Sequence, residues 1–380
     1  MIRECGKSLT VLRVEGPEVW ASRGYGMFVS RDGGCTWEEE GRAEVPRWRR
    51  TLEAHPLVRQ ILRGGISCVI PLGDGARLCV AAGRILRAEP GSSVYNTTFR
   101  FPKGSRPLNI CVDPNGGLYW GEYFLNLRRS EPVHIYGSED GGRTWVVLHA
   151  FPRGAVCHVH RIVHDPYEES ILVCMGDRDS EVAVLSTRDG FRTFRTLAQG
   201  NQLYRTACMI PRPSCIVYGT DWPSGENCVV ALDRHTGRAD KVQQVSGPVM
   251  YGCEVGDQIA FSTMVEKQHH EATLWIGDEK GFARAAHFQT RKVNRVWREL
   301  TGYPRLVLPE GRGDGAALFF TPLGVKEHSG SLLKMDLSRK EELGSMGAVG
   351  GPLPPCGIGE VDAPGGLRPV GRISTGSGAC

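Results

Sequence analysis

The residues best suited to chemistry fall between positions 122 and 221. Val156-Cys-His-Val-His-Arg-Ile-Val-His164 alternates as a strand does, which puts His158, His160 and His164 on one face and Val159, Arg161 and Val163 on the other. Imidazoles at i and i+2 can ligate a divalent ion together, or one can take a proton near neutral pH. His164 precedes Asp165-Pro166 and fits the turn that follows. Three carboxylates close apolar, strand-like segments: Glu122 in Leu118-Tyr-Trp-Gly-Glu-Tyr123, Asp177 in Ile171-Leu-Val-Cys-Met-Gly-Asp177, and Asp221 in Ile216-Val-Tyr-Gly-Thr-Asp221. Gly-Asp at a strand end is also an ordinary turn, but three successive segments ending this way form a pattern. Asn201-Gln-Leu-Tyr-Arg-Thr206 brings Gln202, Tyr204 and Arg205 to the opening of the next strand. There Arg205 can fork onto a carboxylate, and Tyr204 can donate a proton or stack under a sugar ring. Arg128, Arg129 and Arg178 add cations beside Glu122 and Asp177. The catalytic candidates are thus His158, His160, Tyr204, Glu122 and Asp177. Arg178, Arg205, Asp221, Gln202 and Arg128 are the substrate-binding candidates. The cofactor this set is able to hold is a divalent metal ion, on His158, His160 and Asp177, with Glu122 as an alternative carboxylate.

The elements that must position these residues are short strands. Gly and Pro together supply 49 and 23 of 380 residues, too many for helical interiors and suited to many tight turns. The net charge of +4 gives no electrostatic footprint for a nucleic acid or a membrane surface, and no apolar run reaches the length of a bilayer span. The thirteen cysteines stand singly with no Cys-x-x-Cys pair, so reduced, buried thiols are expected rather than a zinc knuckle or a disulfide framework. The N-terminal residues carry no signal-like apolar stretch, which places the chain as written in the cytoplasm, or outside the cell if a leader has been removed.

Ser30-Arg-Asp-Gly-Gly-Cys-Thr-Trp37 recurs as Ser138-Glu-Asp-Gly-Gly-Arg-Thr-Trp145, with a weaker copy at Thr187-Arg-Asp-Gly-Phe-Arg-Thr-Phe194 and a decayed one at Gly277-Asp-Glu-Lys-Gly-Phe-Ala-Arg284. Each follows an apolar run, and its composition is that of a hairpin turn: an Asp to accept from backbone amides, glycines for positive φ, and an aromatic to enter the core. The chain here resembles the Asp-box, or BNR-repeat, β-propellers of the sialidase-like superfamily, whose pattern Ser-x-Asp-x-Gly-x-Thr-Trp is matched in full twice. That resemblance implies an all-β, seven-bladed propeller of four-stranded antiparallel blades, with the box between the third and fourth strands. Further turns are then expected at Ala88-Glu-Pro-Gly91, Asp233-Arg-His-Thr-Gly237 and Asp336-Leu-Ser-Arg339. The propeller would span residues 1–345, with a short helical insertion within Pro46–Arg63 and a poorly ordered Gly/Pro-rich tail over 346–380, unless Gly371–Thr375 pairs as a closing strand.

In that scheme Glu122, Asp177 and Asp221 fall at equivalent rim positions of three consecutive blades, on the face opposite the boxes. The resemblance implies a carbohydrate-active protein. The Arg-Ile-Pro segment of true sialidases is absent, and the His-x-His, Tyr-Arg and carboxylate set is closer to uronate-specific lyases, in which a base removes a proton and a cation neutralises the acid group. Hydrolysis by two of the carboxylates stays open, because it depends on their separation. So does a non-catalytic propeller binding a glycan or a protein on the same face. The partner expected is a glycan or oligosaccharide, with no nucleic acid and no membrane, and the chain is expected to be a monomer.

Overall fold

Short runs of Val, Ile and Leu, punctuated by glycine and aspartate turns, build the chain into antiparallel ladders of four strands. The computed structural model describes residues 1–53, 55, 58, 61–62, 64–266, 270–291 and 301–337. The site-bearing part is three consecutive quartets. Cys111–Val112, Leu118–Gly121, Val133–Ser138 and Val146–Phe151 form one. Val159–Asp165, Ser170–Met175, Ala183–Thr187 and Arg195–Gln199 form the next. Met209–Pro211, Ile216–Gly219, Asn227–Leu232 and Ala239–Val245 form the third. Equivalent ladders run over 10–43, 66–100 and 249–289. The last sheet takes three strands from the C-terminal region and its fourth from the other end of the chain, where Ile2–Gly6 pairs with Leu332–Asp336. Leu332–Asp336 is therefore a third strand whose fourth neighbour is N-terminal. Most of the turn expected after it, with the 346–380 segment and Gly371–Thr375, lies outside the described residues.

Each quartet is buried on both faces, which is why its strands read as continuous apolar runs. In Ser170–Met175, Val173 packs with Val133, Ile135 and Leu185 toward the preceding sheet, while Leu172 and Cys174 pack with Met209, Tyr218 and Val230 toward the following one. Burying one such side chain contributes roughly 1.5–3 kcal/mol. The outermost strands are more exposed, as in Val146–Phe151. The cysteines follow the same logic: all eleven described are free and most are buried. Among the described residues no helix is long and apolar enough to cross a membrane. The insertion after residue 46 contributes the helix Arg47–Leu52, with Trp48 and Leu52 exposed.

The repeated octets are the turns between third and fourth strands. Asp32, Asp140 and Asp189 each accept two backbone N–H groups on Oδ1, from the residues three and four further on, at 2.9–3.0 Å. Each also accepts a threonine hydroxyl on Oδ2 at 2.6 Å. In the third copy Phe191 replaces the second glycine yet keeps its positive φ of 69°, and its ring is fully buried in the apolar cluster. That burial offsets the strain of a bulky residue in the left-handed region.

The strand carrying the histidines departs from strict alternation. Its register slips between Val159, opposite Met175, and Arg161, opposite Cys174, so His160 is the extra residue of a bulge. Val159 and Ile162 consequently face the same apolar cluster, and His164, two residues beyond Ile162 and opposite Ile171, falls on that face. The expected face of His158, His160 and His164 is thus corrected to His158 and His160 alone. A second correction concerns Gln202, Tyr204 and Arg205, which precede the inner strand. Gln202–Tyr204 is one 3-10 turn, capped by Asn201 accepting the Leu203 N–H at 2.8 Å, and the strand begins at Met209.

Candidate functional site

Antiparallel pairing brings the start of Val159–Asp165 against the end of Ser170–Met175, so His158 and Asp177 meet at one mouth of the sheet, where Gly176 N–H donates to the His158 carbonyl at 3.1 Å. The neighbouring sheets close in because the second strands end in glycine. A Cβ on Gly121 would stand 2.4 Å from Val159, and one on Gly219 2.4 Å from Val249. Through these gaps Val159 N–H donates to the Glu122 carbonyl at 3.0 Å and Val249 N–H to the Thr220 carbonyl at 2.9 Å.

His158 Nδ1 donates to the Phe124 carbonyl and His160 Nδ1 to the Thr206 carbonyl, each at 3.1 Å. A carbonyl only accepts, so these contacts put a proton on Nδ1 of both rings and turn both Nε2 atoms inward. The Nε2 atoms lie 2.9 Å apart, at 3.4 Å (His158) and 3.2 Å (His160) from Asp177 Oδ1. Arg205 Nη2 reaches the same Oδ1 at 3.1 Å and Asp221 Oδ2 at 3.6 Å. The Tyr123 ring lies 4.3 Å from that of His158. The backbone of Asp177 is held as firmly: its carbonyl accepts from Gln202 Nε2 at 3.0 Å and Arg205 Nη1 at 3.2 Å, and its N–H donates to Glu181 Oε1 at 2.8 Å.

The charge states follow from burial and these contacts. Burial raises the Asp177 carboxyl, but hydrogen bonds from His158 and His160 and the charge of Arg205 outweigh it and hold the group well below the usual carboxylate range. Burial lowers His158, yet its hydrogen bond to Asp177 lifts it to about 9. His160 moves down, because burial and the adjacent His158 charge prevail over Asp177. Asp221 is pushed up to about 7 by burial, against the lowering pull of Arg205. One carboxyl of the cluster is therefore locked as an anion and the other holds its proton near neutrality.

The structure brings together His158, His160, Asp177, Arg205 and Asp221, with Gln202 behind them. It places the remaining candidates elsewhere. Glu122 is fully buried, and its Oε2 faces the N–H and the Nδ1 of His134, both at 2.9 Å. Tyr204 packs on the apolar cluster around Met209 and Tyr218. Arg128 and Arg178 are exposed on neighbouring loops, Arg178 Nη2 lying 3.5 Å from the Leu127 carbonyl. Arg129 is no anion contact, since its guanidinium forks onto Glu181, Nε to Oε2 at 2.8 Å and Nη2 to Oε1, with both side chains buried. Glu181 is the functional residue the sequence reading missed: it fixes the Asp177–Arg178 backbone, and no motif links it to Arg129, 52 residues away. A groove of about 390 Å³ elsewhere, bordered by Cys5, Cys35 and Lys334, includes none of these residues.

No protein-family model matches the chain, and no curated protein matches it. Solved structures do. An oligogalacturonate lyase in complex with manganese is similar with a TM-score of 0.58 at 12% identity, over 89% of this chain and 93% of that one. A chain of the mitotic checkpoint complex gives 0.54 at 10% identity, over 88% and 92%. A YCF48 protein bound to a D1 peptide gives 0.53 at 12% identity, over 88% and 96%. At such identities the likeness shows the fold alone, and that fold is a β-propeller.

Proposed function

We propose that the chain is a carbohydrate-active propeller of seven blades that acts on acidic, uronate-type oligosaccharides by β-elimination at the His158–Asp221 cluster. The number seven is supported by the quartets among the described residues, with Ile2–Gly6 taken as the outer strand of the last sheet. The octet turns between third and fourth strands support kinship with the Asp-box proteins. The observation that carries the chemistry is the contrast between two carboxyls on one guanidinium. Asp177 is consumed by two imidazoles and Arg205, whereas Asp221 sits at about 7 and can take or give a proton at neutral pH. Hydrolysis by a carboxyl pair needs the second carboxylate free as nucleophile or base, which Asp177 is not. Elimination needs one such group. The Asp221 carboxylate takes the proton α to the uronate acid group, the C–H electrons form the new double bond, and the bond to the leaving oxygen breaks. That oxygen then receives the proton from Asp221. In this reading the substrate's acid group is met by Arg128 and Arg178, exposed on neighbouring loops. One solved propeller of similar fold is an oligogalacturonate lyase, a parallel that supports the reading at the level of fold.

A second reading, a propeller that binds a protein on this face, draws on the exposed Leu125, Leu127 and Trp222 beside the cluster. Incubation with oligogalacturonates separates the two. β-Elimination gives an unsaturated product seen by its absorbance, and Asp221→Asn abolishes it. New reducing ends without unsaturation would transfer the protein to the hydrolases, and no product of either kind would leave the binding reading.

A further inference from the structure

The contacts within the cluster are over-supplied with acceptors. With both Nδ1–H groups committed to carbonyls, the three atoms that face one another are His158 Nε2, His160 Nε2 and Asp177 Oδ1, at 2.9, 3.2 and 3.4 Å. One proton placed among them serves a single edge of this triangle and leaves lone pairs facing along another. A second proton sets two N–H groups against each other across 2.9 Å. One cation of higher charge at the apex satisfies all three lone pairs at once. The dimensions agree. At metal–ligand distances of about 2.0–2.2 Å, neighbouring donors in a tetrahedral or octahedral shell stand about 2.9–3.5 Å apart.

We infer that His158 Nε2, His160 Nε2 and Asp177 Oδ1 form one face of the coordination shell of a divalent transition-metal ion. The second shell is already in place. Each imidazole donates its other N–H to a backbone carbonyl, the arrangement that orients ligating histidines and raises their basicity. Asp177 is held by Arg205 through its carboxylate and by Glu181 through its backbone N–H. The two-imidazole, one-carboxylate set suits zinc, cobalt, manganese or iron(II) rather than calcium or magnesium. Cys157 is buried, and its sulfur lies within 4.8 Å of donor atoms of His158 and Asp177, which makes it a further donor beside this face. Asp177 is the most solvent-exposed of the three, its side chain 22% accessible, so the open side of the shell faces the mouth of the site. This assignment is drawn from donor geometry and stands apart from the glycan reading. Within that reading, the ion would supply the charge that neutralises the substrate's acid group.

The test uses the full chain, freed of metal with a chelator and titrated with Co(II). Saturable binding of one equivalent, with visible d–d bands that Zn(II) abolishes, is the expected result. His160→Ala and Asp177→Asn each weaken binding by more than the roughly 10–100-fold typical of losing a second-shell partner, and Glu181→Gln weakens it within that range. His149→Ala, on an outer strand, leaves it unchanged. Circular dichroism checks that each variant is folded. For any variant that is not, the imidazole 15N shifts of the wild-type protein give the same answer, because metal binding moves both Nε2 resonances. Absence of saturable Co(II) or Zn(II) binding, or binding retained in the folded His160→Ala variant, overturns the assignment. Because none of these readouts involves a sugar, a protein that binds metal but yields no unsaturated product would retain this site and lose the lyase reading.

Discussion

Asp221 shows how a single residue carries both a cost and a use. Its folded-state pKa stands at about 7 against an ordinary 3.8, so the folded state binds the proton more tightly than the unfolded one. The stability this confers is fully present below about pH 4 and is lost as pH rises through 7. Asp221→Asn imitates the protonated form at every pH. The variant should therefore be more stable than the wild type at pH 8, by an amount on the order of 2–4 kcal/mol, with the gap closing toward pH 4. Calorimetry of metal-free protein at the two pH values checks this, and a variant less stable at pH 8 would mean that Arg205 outweighs burial. The carboxylates of this cluster were legible because each stood at the end of an apolar run. The direction of a carboxylate was not. Glu122 has the same sequence setting as Asp177 and Asp221, yet it turns to His134 on the adjacent strand, a choice made by cross-strand pairing that spacing does not report.

At the scale of the element, the aspartate turn is the unit that sequence described best, since all its partners lie within four residues. Asp140 takes both backbone N–H groups and the Thr144 hydroxyl, and these contacts hold its carboxyl down at about 2. A carboxyl depressed from 3.8 contributes stability above about pH 4 that disappears as pH falls through 2. Asp140→Ala should therefore cost on the order of 1 kcal/mol at pH 7, the value of a lost cap, and clearly less near pH 2. Paired urea titrations at the two pH values measure the difference, and an equal cost at both would assign the loss to packing. The histidine strand shows the opposite limit. A period of two placed His158 and His160 correctly but carried His164 onto the wrong face, because the bulge at His160 is produced by pairing with Ser170–Met175 and leaves no local mark.

At the scale of the whole molecule, the described ends of the chain meet in one sheet. Ile2–Gly6 lies beside Leu332–Asp336, Trp37 Nε1 donates to the Cys5 carbonyl at 2.8 Å, and Lys334 Nζ donates to the Gly33 carbonyl at 2.9 Å, so the first and last sheets are stitched through the N-terminal strand. Across the centre, Arg161 pairs with Glu310, 149 residues away, at 2.7 Å. Repeats in the sequence announced units of similar length but not the origin of the final strand, because a strand borrowed from the opposite terminus carries no repeat signal. Removing residues 1–6 would strip the outer strand from the last sheet and bare the backbone of Leu332–Asp336, an edge with two fully buried leucines. The shortened chain should lose at least about 5 °C in melting temperature, as expected when a few kcal/mol of pairing and burial are removed from a large fold, and should self-associate in size-exclusion chromatography. The 159–199 sheet shares no strand with this seam. Metal binding at His158, His160 and Asp177 should therefore persist in whatever fraction remains folded, and its loss in step with the melting shift would show that the ring melts as one unit.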